Sequence, residues 1–213
     1  MRVVPTFLGV AAILGVAATA PAQSAVYRNG VPDGAGGATI TDPYRIIDDF
    51  SFSSLSTVNG IRFWSLQESA FDLAGFEWTI FTDAAGAPDA TVASGFAQAM
   101  RQAQGTGAAG YLRYQNDLFM ASVTLAPGTY WLSLRDNAGP PDIFWETTAS
   151  TTGGFAQYGQ DDPDNPGSPI QYASLDTDLA FELTMTPEPA SVVLPATGLL
   201  GVFGIARRQR RRA

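Results

Sequence analysis

The chain has 213 residues, a formal charge of −8, and neither Cys nor His. These two absences exclude disulfides, thiolate chemistry, Ser-His-Asp and Cys-His catalysis, and the usual zinc, copper and haem ligand sets. Hydrophobic residues at 46% and aromatics at 11% supply enough apolar surface for folding, and the length suits one all-β core with short appendages. The charge is unevenly spread: five of the twelve Arg (Arg207, Arg208, Arg210, Arg211, Arg212) stand in the last seven positions. Residues 23–189 hold six Arg against all twenty acidic residues, a formal −14, which disfavours nucleic acid and anionic lipid and favours cations or neutral partners such as glycans.

In chain order, residues 1–22 have the parts of a secretory signal peptide. Arg2 is the basic start, Phe7 to Ala18 the apolar stretch, and Ala20-Pro21-Ala22 the small-residue cleavage site, leaving Gln23 as the new terminus. Ala22-Gln23-Ser24 is a second cleavage choice. The apolar stretch is shorter than the roughly 20 residues of a spanning helix.

From Val26 onward, short aromatic and β-branched runs alternate with turn residues, and no amphipathic helix stands out. The pattern predicts strands over 46–53, 58–66, 75–82, 91–100, 111–114, 118–125, 129–134, 143–148 and 179–185. In the last, Leu179, Phe181, Leu183 and Met185 alternate with Ala180, Glu182 and Thr184. Ala126-Pro127-Gly128, and Gly86 with Pro88, mark tight turns. Many short antiparallel strands at this spacing predict an all-β sandwich of the jelly-roll kind over residues 23–185.

Residues 186–213 carry three parts in order: the tripeptide Pro187-Glu188-Pro189, an apolar helix over 190–206, and the basic end 207–213. This resembles the sorting tail of the PEP-CTERM family of exported bacterial proteins. The resemblance implies a transient hold at the inner membrane and processing near the tripeptide by an exosortase-like membrane enzyme, with release to the surface or matrix. Seventeen helical residues span about 25 Å, short for a bilayer, and the arginines favour a cytoplasmic C-terminus. Leu194-Pro195-Ala196-Thr197-Gly198 also matches the pentapeptide of cell-wall sortases, but only about 13 Å of apolar helix follows it.

Body segments add to the resemblance. They are Val26 to Gly30 with Pro32-Asp33-Gly34, Ile47-Asp48-Asp49-Phe50, Gly60 to Trp64, Gly86-Ala87-Pro88, Leu125 to Leu132 and Asp178 to Leu183. Together they are similar to a recurrent exported domain found ahead of such tails. That domain implies a β-sandwich and an extracellular place, and brings no agreed ligand or catalytic residue. The expected partners are therefore signal peptidase, an exosortase-like enzyme and exopolysaccharide.

Two sets of residues are candidate sites. Without disulfides, bound calcium is a natural staple, and Asp33, Asp42, Asp48 and Asp49 are its first candidate ligands, with Asp161, Asp162, Asp164 and Asn165 in a Pro-rich loop. Among the aromatics Trp64, Trp78, Trp131, Trp145, Tyr111, Tyr114, Tyr130, Tyr158 and Tyr172, burial is expected for Trp64 and Trp131, whereas Trp145 and Tyr158, beside loops, are the candidate glycan contacts. A secreted carbohydrate-binding module, or a glycosidase using two carboxylates, is the alternative reading to a non-enzymatic surface or matrix protein.

Overall fold

The computed structural model describes residues 24–70, 74–136, 141–150, 153–160 and 170–185. The expected signal helix, the tripeptide and hydrophobic tail helix, and the Asp161 to Asn165 loop lie outside the described residues. All described residues fall in one compact unit, Gln23–Pro187. Among them no helix is long and apolar enough to cross a membrane.

The fold is all-β and its sheets are antiparallel. The first sheet is built around β4 (Ser56–Gln67). Along one side of β4 runs β8 (Leu112–Leu125), which carries the edge strand β7 (Ala99–Thr106). The other side of β4 is shared. β14 (Phe181–Met185) pairs with Gly60 to Phe63, and β10 (Ile143–Thr148) pairs with Ser65 to Gln67. β1 (Ser24–Arg28) lies outside β14, β2 (Pro32–Thr39) lies outside β10, and the two-residue β13 (Asp178–Leu179) pairs with the end of β10. The second sheet runs in the order β12 (Ala173–Ser174), β11 (Gln157–Gln160), β3 (Tyr44–Phe52), β9 (Gly128–Arg135), β5 (Phe76–Asp83), β6 (Pro88–Ala97).

Period-two burial makes the core. Phe76, Trp78 and Ile80 of β5 are buried while Glu77 and Thr79 are not, and these join Ile46 and Phe50 of β3 and Leu132 and Leu134 of β9. Against them stand Ile61 and Phe63 of β4, Leu118 of β8, and Phe181 and Leu183 of β14, so inner faces of both sheets form one cluster. Its centre is aromatic: Phe63 meets Phe76 edge-on at 4.8 Å, and Trp145 meets Phe181 at 5.6 Å.

Four departures from the sequence expectation have physical causes. The runs 111–114 and 118–125 are one strand, because the polar interruption is accommodated on both faces: Asn116 donates inward to Ser65 Oγ (2.9 Å) and Asp117 pairs outward with Arg62. The run 91–100 is two strands, as the chain leaves β6 after Ala97 and enters the other sheet at Ala99. β14 is closed on both faces, since Glu182 and Thr184 are buried along with Phe181 and Leu183. β1 and β2 precede the expected first strand. β2 (PDGAGGAT) carries no large side chain, and Gly37 lets its backbone approach β10, where a Cβ would stand 2.8 Å from the Trp145 carbonyl oxygen.

Candidate functional site

The consecutive carboxylates of β3 point to opposite faces, as strand geometry requires. Asp48 faces the core and is fully buried. Its Oδ2 accepts the Leu179 amide (2.7 Å) and the Asn29 side-chain amide (2.9 Å), and its Oδ1 accepts the Asp49 amide (2.9 Å). Asn29 is itself buried; it also donates to the Leu179 carbonyl (3.1 Å) and accepts from Tyr27 Oη (3.0 Å). Asp48 therefore ties β3 to the chain entering β14 and to the segment after β1.

Asp49 faces outward but is covered. Its Oδ1 accepts the Gly154 amide (2.8 Å), and a Cβ on Gly153, which has φ +102°, would lie 2.7 Å from that oxygen. The loop over Asp49 thus needs glycine on both steric and conformational grounds. Trp131 stands opposite Asp49 on β9 and donates its indole N–H to Asp83 Oδ1 (2.8 Å).

Burial pushes the Asp48 carboxyl well above its ordinary value, and the nearby Asp178 and Asp49 push the same way against its backbone hydrogen bonds. Asp49 is raised to about 6, again mainly by burial, with Asp178 and Asp83 adding to the shift. Tyr27 is raised by burial and by Asp48, Asp49 and Asp178.

The other two calcium candidates are committed elsewhere. Asp33 is exposed on β2, where its Oδ1 accepts from the Ala35 amide (2.8 Å) and Thr147 Oγ1 (2.8 Å). Asp42, which precedes a cis Pro43, pairs with Arg135. Among the described residues no group of three or more acidic side chains is arranged to hold a metal ion. Asp33, Asp42, Asp48 and Asp49 are therefore not brought together. Strand alternation separates the last two, and local hydrogen bonds or ion pairs engage the others.

Trp145 requires a correction as a glycan contact. It is fully buried between Phe63 and Phe181, with its indole N–H donating to the Ala180 carbonyl (3.0 Å). Proximity to a loop in sequence placed it outside, but β10 is a central strand and Trp145 occupies an inward position. Trp131 is buried as expected, while Trp64 is only half-buried on the outer face of β4. Tyr158 is exposed on β11.

The outer face of the first sheet carries a polar array that the sequence did not single out. Arg62 on β4 bridges two neighbouring strands, with Nε 2.6 Å from Asp117 Oδ1 and Nη1 3.4 Å from Glu182 Oε2; Arg28 reaches the same Glu182 at 3.2 Å. Toward the other end of β4, Arg113 holds the buried Glu146 in a two-point contact, one arm measuring 2.8 Å from Nε to Oε2. Beyond it a pocket of about 250 Å3 is lined by Glu68, Tyr111, Pro141, Asp142 and Phe144. No sequence signal joins residues so far apart; only the strand register does.

No family model matches the chain, and no curated protein matches it.

Proposed function

We propose that the chain is an exported, non-enzymatic surface or extracellular-matrix protein, with a removable signal over residues 1–22 and a PEP-CTERM-type tail over 186–213. In this reading Pro187, Glu188 and Pro189 are the processing signature, and Arg207, Arg208, Arg210, Arg211 and Arg212 orient the tail during a transient inner-membrane stage.

The observation that carries the proposal is the pair of terminal signals around an acidic β-sandwich. The way the sandwich closes supports it. β1 pairs with β14 so that Ser24 stands opposite Met185, and the points where signal and tail join the body are neighbours on one strand pair. Removing both appendages leaves that pair and the core intact, as a twice-processed protein needs. The jelly-roll assignment belongs to the same proposal. It is supported by repeated crossing between sheets, since β3, β4 and β5 alternate, as do β8, β9, β10 and β11.

Fractionation of cells expressing the full chain or a chain ending at Met185 tests the sorting role. The full chain is expected at the surface or in the matrix, and the shortened chain free in the periplasm or medium. Arrival of both in the same fraction in the same amount would refute a sorting tail.

A further inference from the structure

The outer-face pocket of the first sheet concentrates negative charge against aromatic rings. Gln67 of β4 pairs with Ile143 of β10 on one side and Leu112 of β8 on the other. The residues just past those paired positions, Glu68, Asp142 and Tyr111, all line the pocket. Both carboxylates are exposed, Glu68 just after the end of β4 and Asp142 just before the start of β10, so two negative charges border the pocket at one end of these strands. The cation nearest in register, Arg113, is engaged with Glu146. Neither Glu68 nor Asp142 has an ion-pair partner among the described residues. Phe144, two residues along from Asp142 on the same face, meets the Tyr111 ring at 5.7 Å with planes tilted by 40°, forming an aromatic corner beside the carboxylates.

We propose that this pocket, with Glu68, Asp142, Tyr111 and Phe144 as its contacts, binds an organic ammonium group. A carboxylate pair supplies the charge, and ring faces stabilise a cation that approaches within about 6 Å. A bare divalent metal fits less well, because calcium takes six to eight oxygen ligands and gains nothing from ring faces. A volume of about 250 Å3 lies just below the range of drug-sized sites and suits one small ring or a short amine. The −14 body adds a long-range field that attracts such a cation. Two sources share the chemistry: an amino-sugar residue of a polysaccharide, and a free polyamine. The site belongs to the folded body and does not depend on the sorting proposal.

The test is titration of the purified full-length chain in non-ionic detergent, followed by calorimetry and tyrosine fluorescence. The probes are a glucosamine tetramer with protonated amines, its fully N-acetylated counterpart, spermidine and calcium chloride. Saturable binding of a protonated amine is expected, weakening as salt rises. The double variant E68Q/D142N should weaken it at least tenfold with an unchanged circular dichroism spectrum. Tyr111→Ala should weaken it severalfold, whereas Tyr111→Phe, which keeps the ring, should bind as the parent does. Stronger binding of the tetramer assigns the ammonium to a polysaccharide, and stronger binding of spermidine assigns it to a free amine. Equal binding of the N-acetylated tetramer, full binding by E68Q/D142N, displacement by calcium at equal concentration, or no saturable response to either amine would overturn the proposal.

Discussion

Asp49 binds its proton more tightly in the folded chain, at about 6, than at the ordinary carboxylate value of 3.8. Because the native state then holds a proton that the unfolded state has released, stability falls as pH rises from about 4 to about 6 and is level above that. The size is on the order of 1–2 kcal/mol, because solvent screening reduces the roughly 3 kcal/mol that a shift of about two pKa units would carry in full. Asp48, raised by deeper burial, acts with the same sign. The folded body is therefore expected to melt at a higher temperature at pH 5 than at pH 7. Asp49→Asn keeps an acceptor for the Gly154 amide and removes the buried charge, so it should raise the melting temperature at pH 7 and flatten the pH profile. A melting temperature that climbs from pH 5 to 7, or an unchanged profile in the variant, would count against this assignment. At the same scale Trp145→Ala removes the largest fully buried side chain and should cost about 3–5 kcal/mol in urea unfolding.

At the scale of elements, the guanidinium of Arg62 joins β4 to β8 through Asp117 and to β14 through Glu182. Its pKa is raised chiefly by the hydrogen bond to Asp117, and both acids are largely buried. Arg62→Ala would leave two carboxylates without their shared cation, a loss of about 2–3 kcal/mol, somewhat below a fully buried pair because the guanidinium is partly wet. Arg62→Lys should recover only part, since one ammonium does not reproduce the fork that spans two strands. Urea midpoints of the three proteins decide this, and equal midpoints for parent and alanine variant would contradict it.

The strands most legible in sequence were those with period-two apolar residues, such as Phe76, Trp78 and Ile80 on β5. β2 was not legible, because PDGAGGAT gains its strand from the neighbour on β10 rather than from its own side chains. The separation of Asp48 from Asp49 follows from alternation and was open to sequence reasoning. The convergence of Tyr111, Glu68 and Asp142 was not, because it depends on which strands flank β4 and in what register.

For the whole molecule, the proposed function requires an acidic sandwich that stays folded once both ends are removed. The β1–β14 pair brings the ends of the body together, and Tyr27 of β1 locks that pair by packing on Phe50 and Phe181 at 5.8 and 5.7 Å. Tyr27→Ala is expected to loosen the first strand, read as faster amide exchange over residues 24–28 than over β4. Equal protection in variant and parent would mean that the ring does not secure the strand.

The central claim is tested most directly by the intact mass of the form released by cells that carry an exosortase. Export followed by tail processing predicts one species whose N-terminus is Gln23 or, at the second signal site, the residue after Ser24, and whose C-terminus lies at or near Pro187 to Pro189. A released species that begins at Met1, or that keeps the five clustered arginines, would contradict it.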